Sequence, residues 1–230
     1  MPDALMLFAA GFGTRMGDLT RNRPKPLIEV AGRPLIDHAL ALAEGTGLAR
    51  IVVNAHYLAD QITAHLKDRP VQVTVEAPQV LDTGGGLKAA LPLLVGDTHP
   101  APVFTLNSDA VWTGANPLQT LANAWDGTRM GALLLLVPAD RARGHKGAGD
   151  FAMADDGRLT RGPGLVYTGT QIIDTALLGD TPEGPFSLNL IWSRLASAGR
   201  LYGAVHPGGW CDVGHPGGIP LAEALLDTAG

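Results

Sequence analysis

Two glycines, a lysine framed by prolines and two isolated aspartates carry the chemical interest of this chain. The segment Ala9-Ala10-Gly11-Phe12-Gly13-Thr14-Arg15-Met16 follows an apolar run, Leu5–Ala10. Glycines after a buried strand let backbone N–H groups approach a phosphate or a base closely. The next stretch is basic: between positions 15 and 33 five cations (Arg15, Arg21, Arg23, Lys25, Arg33) face two acids (Asp18, Glu29). The whole chain has only four lysines, and one of them stands in Pro24-Lys25-Pro26. Two prolines fix φ around that lysine, which suits a site where positioning carries most of phosphoryl-transfer catalysis. A solvated basic loop accounts for the charge but not for the stiff frame. Asp109 follows the apolar strand Val103–Asn107 and Asp212 sits in a later one. Two carboxylates converging on a triphosphate would suit Mg²⁺, which takes one or two carboxylates together with phosphate oxygens and water. From residue types alone Asp109 reads equally as a turn former or helix N-cap, Asp212 as a turn residue, and nothing pairs them.

Two common nucleotide motifs do not fit. The dinucleotide pattern G-x-G-x-x-G needs a glycine where Met16 stands, and an acid after the second strand where Asn54 and His56 stand. This weighs against a Rossmann-type oxidoreductase. The Walker pattern G-x-x-x-x-G-K-[ST] is absent. His56 and His65 are wrongly spaced for a metal pair on one helix face, and Cys211 reads as core.

The elements that must position these residues alternate. Leu5–Ala10, Ile51–Ala55, Val71–Val75, Val103–Asn107 and Gly131–Val137 read as strands, the last so apolar that both faces must be covered. Between them lie helical patterns from Pro34, over Tyr57–Lys67, Gly86–Leu94 and Pro117–Trp125. This β-α rhythm predicts an α/β fold: a mainly parallel sheet with helices on both faces. The second half is less regular, with a hairpin around Asp155-Asp156-Gly157, a strand at Leu165–Ile173, a helix capped by Ser187, two more strands and a helix from near Pro216. The reading is one domain over 1–230, with a nucleotide-binding half (1–137) and a half (138–230) that completes the site.

Composition bounds the partners. The 230 residues carry 17 Lys+Arg against 22 Asp+Glu, a formal net charge of −5, which argues against general nucleic-acid binding. One cysteine excludes an internal disulfide framework. No apolar run of about 18 residues occurs and no basic stretch precedes the first apolar segment. The expectation is a cytoplasmic protein with no membrane or nucleic-acid partner.

Taken in order, A-A-G-x-G-T-R-M, then P-K-P-L, then Leu81-Asp82-Thr83-Gly84-Gly85-Gly86, Asn107-Ser108-Asp109 and Trp210-Cys211-Asp212-Val213-Gly214 resemble the sugar-1-phosphate nucleotidyltransferases. The branch that uridylylates N-acetylmuramic acid 1-phosphate is the most similar, with the mannose-1-phosphate guanylyltransferases as near neighbours. The resemblance implies a Rossmann-like mixed sheet and an NTP and a sugar 1-phosphate as substrates. It implies one Mg²⁺ on Asp109 and Asp212, and catalytic roles for Arg15, Lys25 and Asp109. It assigns Ala10, Gly11, Gly13, Thr14, Thr83 and Gly84 to the nucleotide, and Gly149, Thr168 and Gly169 to the sugar. Asp82 stands where many relatives have glycine. Glu76 could touch the base edge, although a solvent-facing glutamate is the plainer reading. Arg161 lies in Leu159-Thr160-Arg161-Gly162-Pro163, where relatives carry V-E-K-P, and could clamp the sugar phosphate; the acid is missing. Gly144-His145-Lys146-Gly147 reads as a mobile loop that could close over substrate or, equally, as a disordered surface loop. The oligomer expected is a monomer or homodimer. A non-catalytic nucleotide-sugar sensor is the alternative of another class.

Overall fold

The computed structural model describes residues 1–96 and 100–228; the remainder of the expected 1–230 domain lies outside the described residues. The first half runs β1 (Ala4–Phe8), β2 (Glu29–Val30), β3 (Arg33–Pro34), α1 (Leu35–Ala41), β4 (Arg50–Ala55), α2 (Ala59–Leu66), β5 (Gln72–Val75), α3 (Asp82–Leu94), β6 (Pro102–Asn107), β7 (Ala110–Thr113), α4 (Pro117–Ala124) and β8 (Ala132–Pro138). The second runs β9 (Ala142–Arg143), β10 (Phe151–Met153), β11 (Leu159–Arg161), β12 (Leu165–Asp174), α5 (Asn189–Ser197), β13 (Leu201–Val205), β14 (Gly209–Asp212) and α6 (Gly218–Asp227).

In the main sheet β5, β4, β1 and β6 lie side by side and parallel. Long β12 runs antiparallel to β6 and to β8, and β13 is parallel to β8. The sheet is therefore mixed and mainly parallel, as expected. Period-two alternation explains its two covered faces. Leu5 and Leu7 of β1 join Ile36, Leu40, Ile62, Leu66, Leu118 and Leu121 from α1, α2 and α4. Ala4 and Met6 join Leu87, Leu94, Ile191 and Leu195 from α3 and α5 on the other face. The apolar β8 is split the same way, Leu134 and Leu136 to one core and Leu133 and Leu135 to the other. Local signals set the helix starts. Asn116 Oδ1 accepts the N–H groups of Leu118 and Gln119 at 2.9 and 3.2 Å, and Pro117 occupies the first helical turn of α4.

Three features depart from the sequence reading. Helix α3 starts at Asp82, so Gly84–Gly86 lie inside its first turns and not before it. Strand β7, which follows Asp109 directly, has no sequence signal of its own; it exists because β14 pairs with it. Ser187 is not the N-cap of α5, which is Leu188, although its hydroxyl accepts the Asn189 N–H at 3.3 Å. Strands β7, β14 and β9 form a small second sheet. Helix α6 closes a core on it with Met16, Ile28, Val111, Cys211 and Val213, tying the loop after β1 to the strand that carries Asp212. Among the described residues no helix is long and apolar enough to cross a membrane.

Candidate active site

The chain leaves β1 for β4 on one side and β6 on the other, so the crevice at their C-terminal ends is the point where an open α/β sheet binds ligands. There the segment after β1 folds into 3-10 turns, with Gly13 at φ 64°. A Cβ on Gly13 would stand 2.8 Å from Lys25 Cβ and 3.0 Å from Thr20 Cγ2. Only glycine allows both that backbone and the approach of Lys25. Tyr57 holds the loop from α2's leading edge, donating its hydroxyl to the carbonyls of Thr20 and Arg21 at 3.0 and 2.9 Å. Lys25 is 8% exposed, which corrects the solvated-loop reading for this lysine. Its Nζ donates to Asp109 Oδ2 at 2.6 Å.

The second sheet brings Asp212 to the same place. Antiparallel register sets Asp212 opposite Ala110, and the Val213 N–H donates to the Asp109 carbonyl at 2.8 Å. Asp212 ends β14 and Asp109 immediately precedes β7, so the two residues meet at one end of the small sheet. Burial pushes the Asp212 carboxyl above its ordinary value, and the charge of Asp109 adds to the shift; Lys25, Arg15 and His215 oppose it. Adjacent carboxyls with one destabilised charge are a donor set that a hard dication would satisfy. Among the described residues no group of three or more His, Cys, Asp or Glu side chains could hold a metal alone, so such an ion would need substrate oxygens. Gly144 packs its α-carbon against the Asp212 backbone, where a Cβ would lie 2.1 Å from the carbonyl oxygen. The 144–147 loop therefore runs alongside the Asp212 strand. Cys211 is buried, its thiol pushed up to about 11 by burial, which fits a core residue.

A cleft of about 430 Å³ opens beside this cluster, lined by Ala10, Gly11, Asn54, Glu76, Thr83 and Asp109 among others. Its floor is a buried hydrogen-bonded chain. Ala9 N–H donates to Asn54 Oδ1 at 2.8 Å, Asn54 Nδ2 to Glu76 Oε1 at 2.7 Å, and Leu81 N–H to Glu76 Oε2 at 2.7 Å. Glu76 is 5% exposed, so the solvent-facing expectation is corrected. Both its oxygens already have partners, and it holds the floor by linking β1, β4 and the approach to α3. Asn54 was missed as a site residue; its signal was a polar side chain ending an otherwise apolar strand.

The glycine run at α3 also differs from expectation. Its N–H groups were expected to face the crevice free, but Gly84 and Gly85 both donate to the Phe186 carbonyl, at 2.9 and 3.1 Å. A Cβ on Gly84 would lie 2.3 Å from the Phe186 ring, so this glycine is there for close packing. Gly84→Ala should therefore destabilise the fold by about 1–3 kcal/mol; an unchanged melting temperature would refute this packing role. Thr83 N–H donates to Asp82 Oδ1 at 2.5 Å, and Thr83 Oγ1 accepts from Leu188 N–H at 3.1 Å. Asp82 has φ 59°, a backbone that glycine adopts freely and aspartate tolerates.

On the other side, Gly169 packs against Asn107, which lines the cleft, and Gly149 packs against Gly164. Thr168 is 2% exposed and gives its hydroxyl to the Leu135 carbonyl at 2.8 Å, so that side chain points into the sheet. Arg161 is exposed, stacks over Phe151 and donates to Asn189 Oδ1. Burial lowers its pKa from the ordinary arginine value, and the charge of Asp150 opposes the shift. Arg15 acts electrostatically on Asp212; Thr14 opens the 3-10 segment after Gly13.

Comparison with known proteins gives the family and the fold. The chain is 41% identical to N-acetylmuramate alpha-1-phosphate uridylyltransferase of Caulobacter vibrioides, over 99% of this chain and 98% of that protein. It is 32% identical to the protein of the same name from Neisseria meningitidis, over 96% of each. The structure of the inositol-1-phosphate CTP transferase from T. maritima superposes with a TM-score of 0.77 at 14% identity, over 99% of this chain and 96% of that one, showing the shared fold. Residues 5–161 match the MobA-like NTP transferase domain. With that match over more than half of its length, and with the glycine turn, Lys25 and Asp109 inside it, the chain belongs to the MobA-like NTP transferase family.

Proposed function

We propose that this chain joins UTP and N-acetylmuramic acid 1-phosphate into the nucleotide sugar and pyrophosphate. The observation that carries the reaction is the meeting of Lys25, Asp109 and Asp212 at the mouth of the cleft. The full-length likeness to the uridylyltransferases supports the substrates. A sugar-phosphate oxygen attacks the α-phosphorus in line. The new P–O bond forms as the bond to the bridging oxygen breaks, and pyrophosphate leaves with that electron pair. Ala10, Gly11, Gly13 and Thr14 seat the triphosphate and nucleoside, with Thr83 and the Asn54–Glu76 bracket beyond them. Arg15 holds the departing pyrophosphate, and Lys25, buried beside Asp109, holds the phosphates being joined. Asp109 and Asp212 would hold Mg²⁺, which when bound neutralises charge on the α-phosphate. Gly149, Gly169 and Arg161 border the sugar. The chain works as one domain, residues 1–137 on the nucleotide and 138–230 completing the site. It acts in the cytoplasm as a monomer or homodimer, without membrane or nucleic-acid partners.

The lactyl carboxylate of muramic acid needs a cationic side to the sugar pocket, and Arg161 in place of an acidic grip supports that choice. A sugar 1-phosphate lacking the lactyl group should lose about 1–3 kcal/mol of transition-state binding, one charged hydrogen bond. Pyrophosphate release from four NTPs against a panel of sugar 1-phosphates tests the reading. UTP with N-acetylmuramic acid 1-phosphate should give the highest kcat/KM. A maximum for GTP with mannose 1-phosphate would overturn the substrate assignment and leave the reaction class standing. No release from any pair, with nucleotide sugars still bound, would identify a sensor.

A further inference from the structure

Arg161 is oriented with unusual completeness for an exposed side chain. Its guanidinium carbon lies 4.4 Å from the Phe151 ring centroid and 5.4 Å from that of Trp192, and its Nη2 donates to Asn189 Oδ1. The parts of this cage are themselves fixed. Trp192 Nε1 donates to Gln171 Oε1 at 2.9 Å, and its ring meets Tyr167 edge-on at 4.8 Å. Asn189 Nδ2 donates to Ser187 Oγ at 3.0 Å, which leaves Oδ1 for the arginine.

The partners are neutral, and this has a chemical consequence. Among the described residues Arg161 has no carboxylate within ion-pair distance. The nearby Asp150 uses Oδ2 to accept the Tyr167 N–H at 2.8 Å. An amide oxygen and two ring faces orient a guanidinium without cancelling its charge, and the fork keeps further N–H donors for a planar anion. The cage is also tied to the nucleotide cleft. Leu188 N–H rests on Thr83 Oγ1, and the next residue, Asn189, holds Arg161. One peptide step separates the residue bound to the cleft wall from the one that aims the arginine.

We propose that Asn189 is a positioning residue for specificity. It holds Arg161, charged and unpaired, against Phe151 and Trp192 to receive the carboxylate of an acidic sugar 1-phosphate. This rests on the substrate reading above. The amide is essential to it: an aspartate at 189 would keep the geometry and neutralise the cation.

The test compares wild type, Asn189→Asp, Asn189→Ala, Arg161→Gln and the Asn189→Asp/Arg161→Gln double variant. Each is assayed with UTP and either N-acetylmuramic acid 1-phosphate or the N-acetylhexosamine 1-phosphate without the lactyl group. Asn189 and Arg161 are exposed, and melting temperatures check folding. Asn189→Asp should raise KM for the carboxylate-bearing sugar about tenfold or more, the loss of one charge-assisted pair. Its kcat should stay near normal, as should KM for the sugar without the carboxylate. Arg161→Gln should raise KM for the carboxylate-bearing sugar at least as far, the double variant should be no worse than Arg161→Gln alone, and Asn189→Ala should fall between wild type and Asn189→Asp. If wild type ignores the carboxylate, the substrate reading fails and this inference with it. If wild type discriminates and the variants still do, or if Asn189→Asp raises both KM values equally, this inference alone is overturned.

Discussion

Asp212→Asn should abolish nearly all turnover, a loss of roughly 10³-fold or more, and at the same time raise the melting temperature at pH 7. The two effects share one origin. Asp212 is held beside Asp109 in a buried strand end, so its folded pKa lies above the ordinary 3.8. A carboxyl whose folded pKa is raised favours the native state while protonated, and that contribution is lost as pH rises from 3.8 through the folded value. At neutral pH the charge therefore opposes folding, and the neutral amide removes the opposition. The gain in melting temperature should vanish as pH falls toward 4. Asp109→Asn should match the loss of turnover with the opposite effect on stability. It leaves Lys25, 8% exposed, without its partner, an expected loss of roughly 1–3 kcal/mol. Thermal melts without added metal at pH 4.5 and 7, beside a pyrophosphate-release assay, check all four signs. Near-normal Mg²⁺-dependent turnover in either variant would show that the two carboxylates do not act on one ion.

Lys25→Ala should lower kcat by roughly 10²–10³, the scale of one preorganised electrostatic group. The position argues for more than loss of a surface charge. The lysine is buried, framed by Pro24 and Pro26, backed by the hydrogen-only face of Gly13 and aimed at Asp109. Its removal also takes away a positive charge that holds the Asp212 pKa down. The acid limb of the pH–rate profile should therefore move to higher pH. Arg15→Ala, which removes another positive charge acting on Asp212, should shift the same limb and slow the reverse reaction with pyrophosphate. An effect of Lys25→Ala confined to thermal stability, with kcat and the acid limb unmoved, would reduce the lysine to a structural counter-ion of Asp109.

What the residues alone determined is local. Strand geometry needs only neighbours two apart, and it puts Leu5 and Leu7 of β1 in one core and Ala4 and Met6 in the other. The turn after β1 and the stiffness around Lys25 follow from glycine and proline backbone limits, which act within one residue. The rhythm of apolar runs sets a mainly parallel sheet because parallel strands need crossover helices. The tertiary structure decided everything that depends on distance across the chain. Lys25 reaches Asp109 over a separation of 84 residues, and Asp212 reaches Asp109 only through the register of β14 on β7, a strand too short to announce itself. Burial likewise belongs to the whole. Glu76 looks like a surface acid at the end of a strand, yet Asn54 and Leu81 close over both its oxygens. Gly84 looks like an open helix start, yet Phe186, from beyond β12, takes its N–H. Residue type says which groups can donate or accept; only the packing of distant segments says which of them are already satisfied, and so which remain free for a ligand.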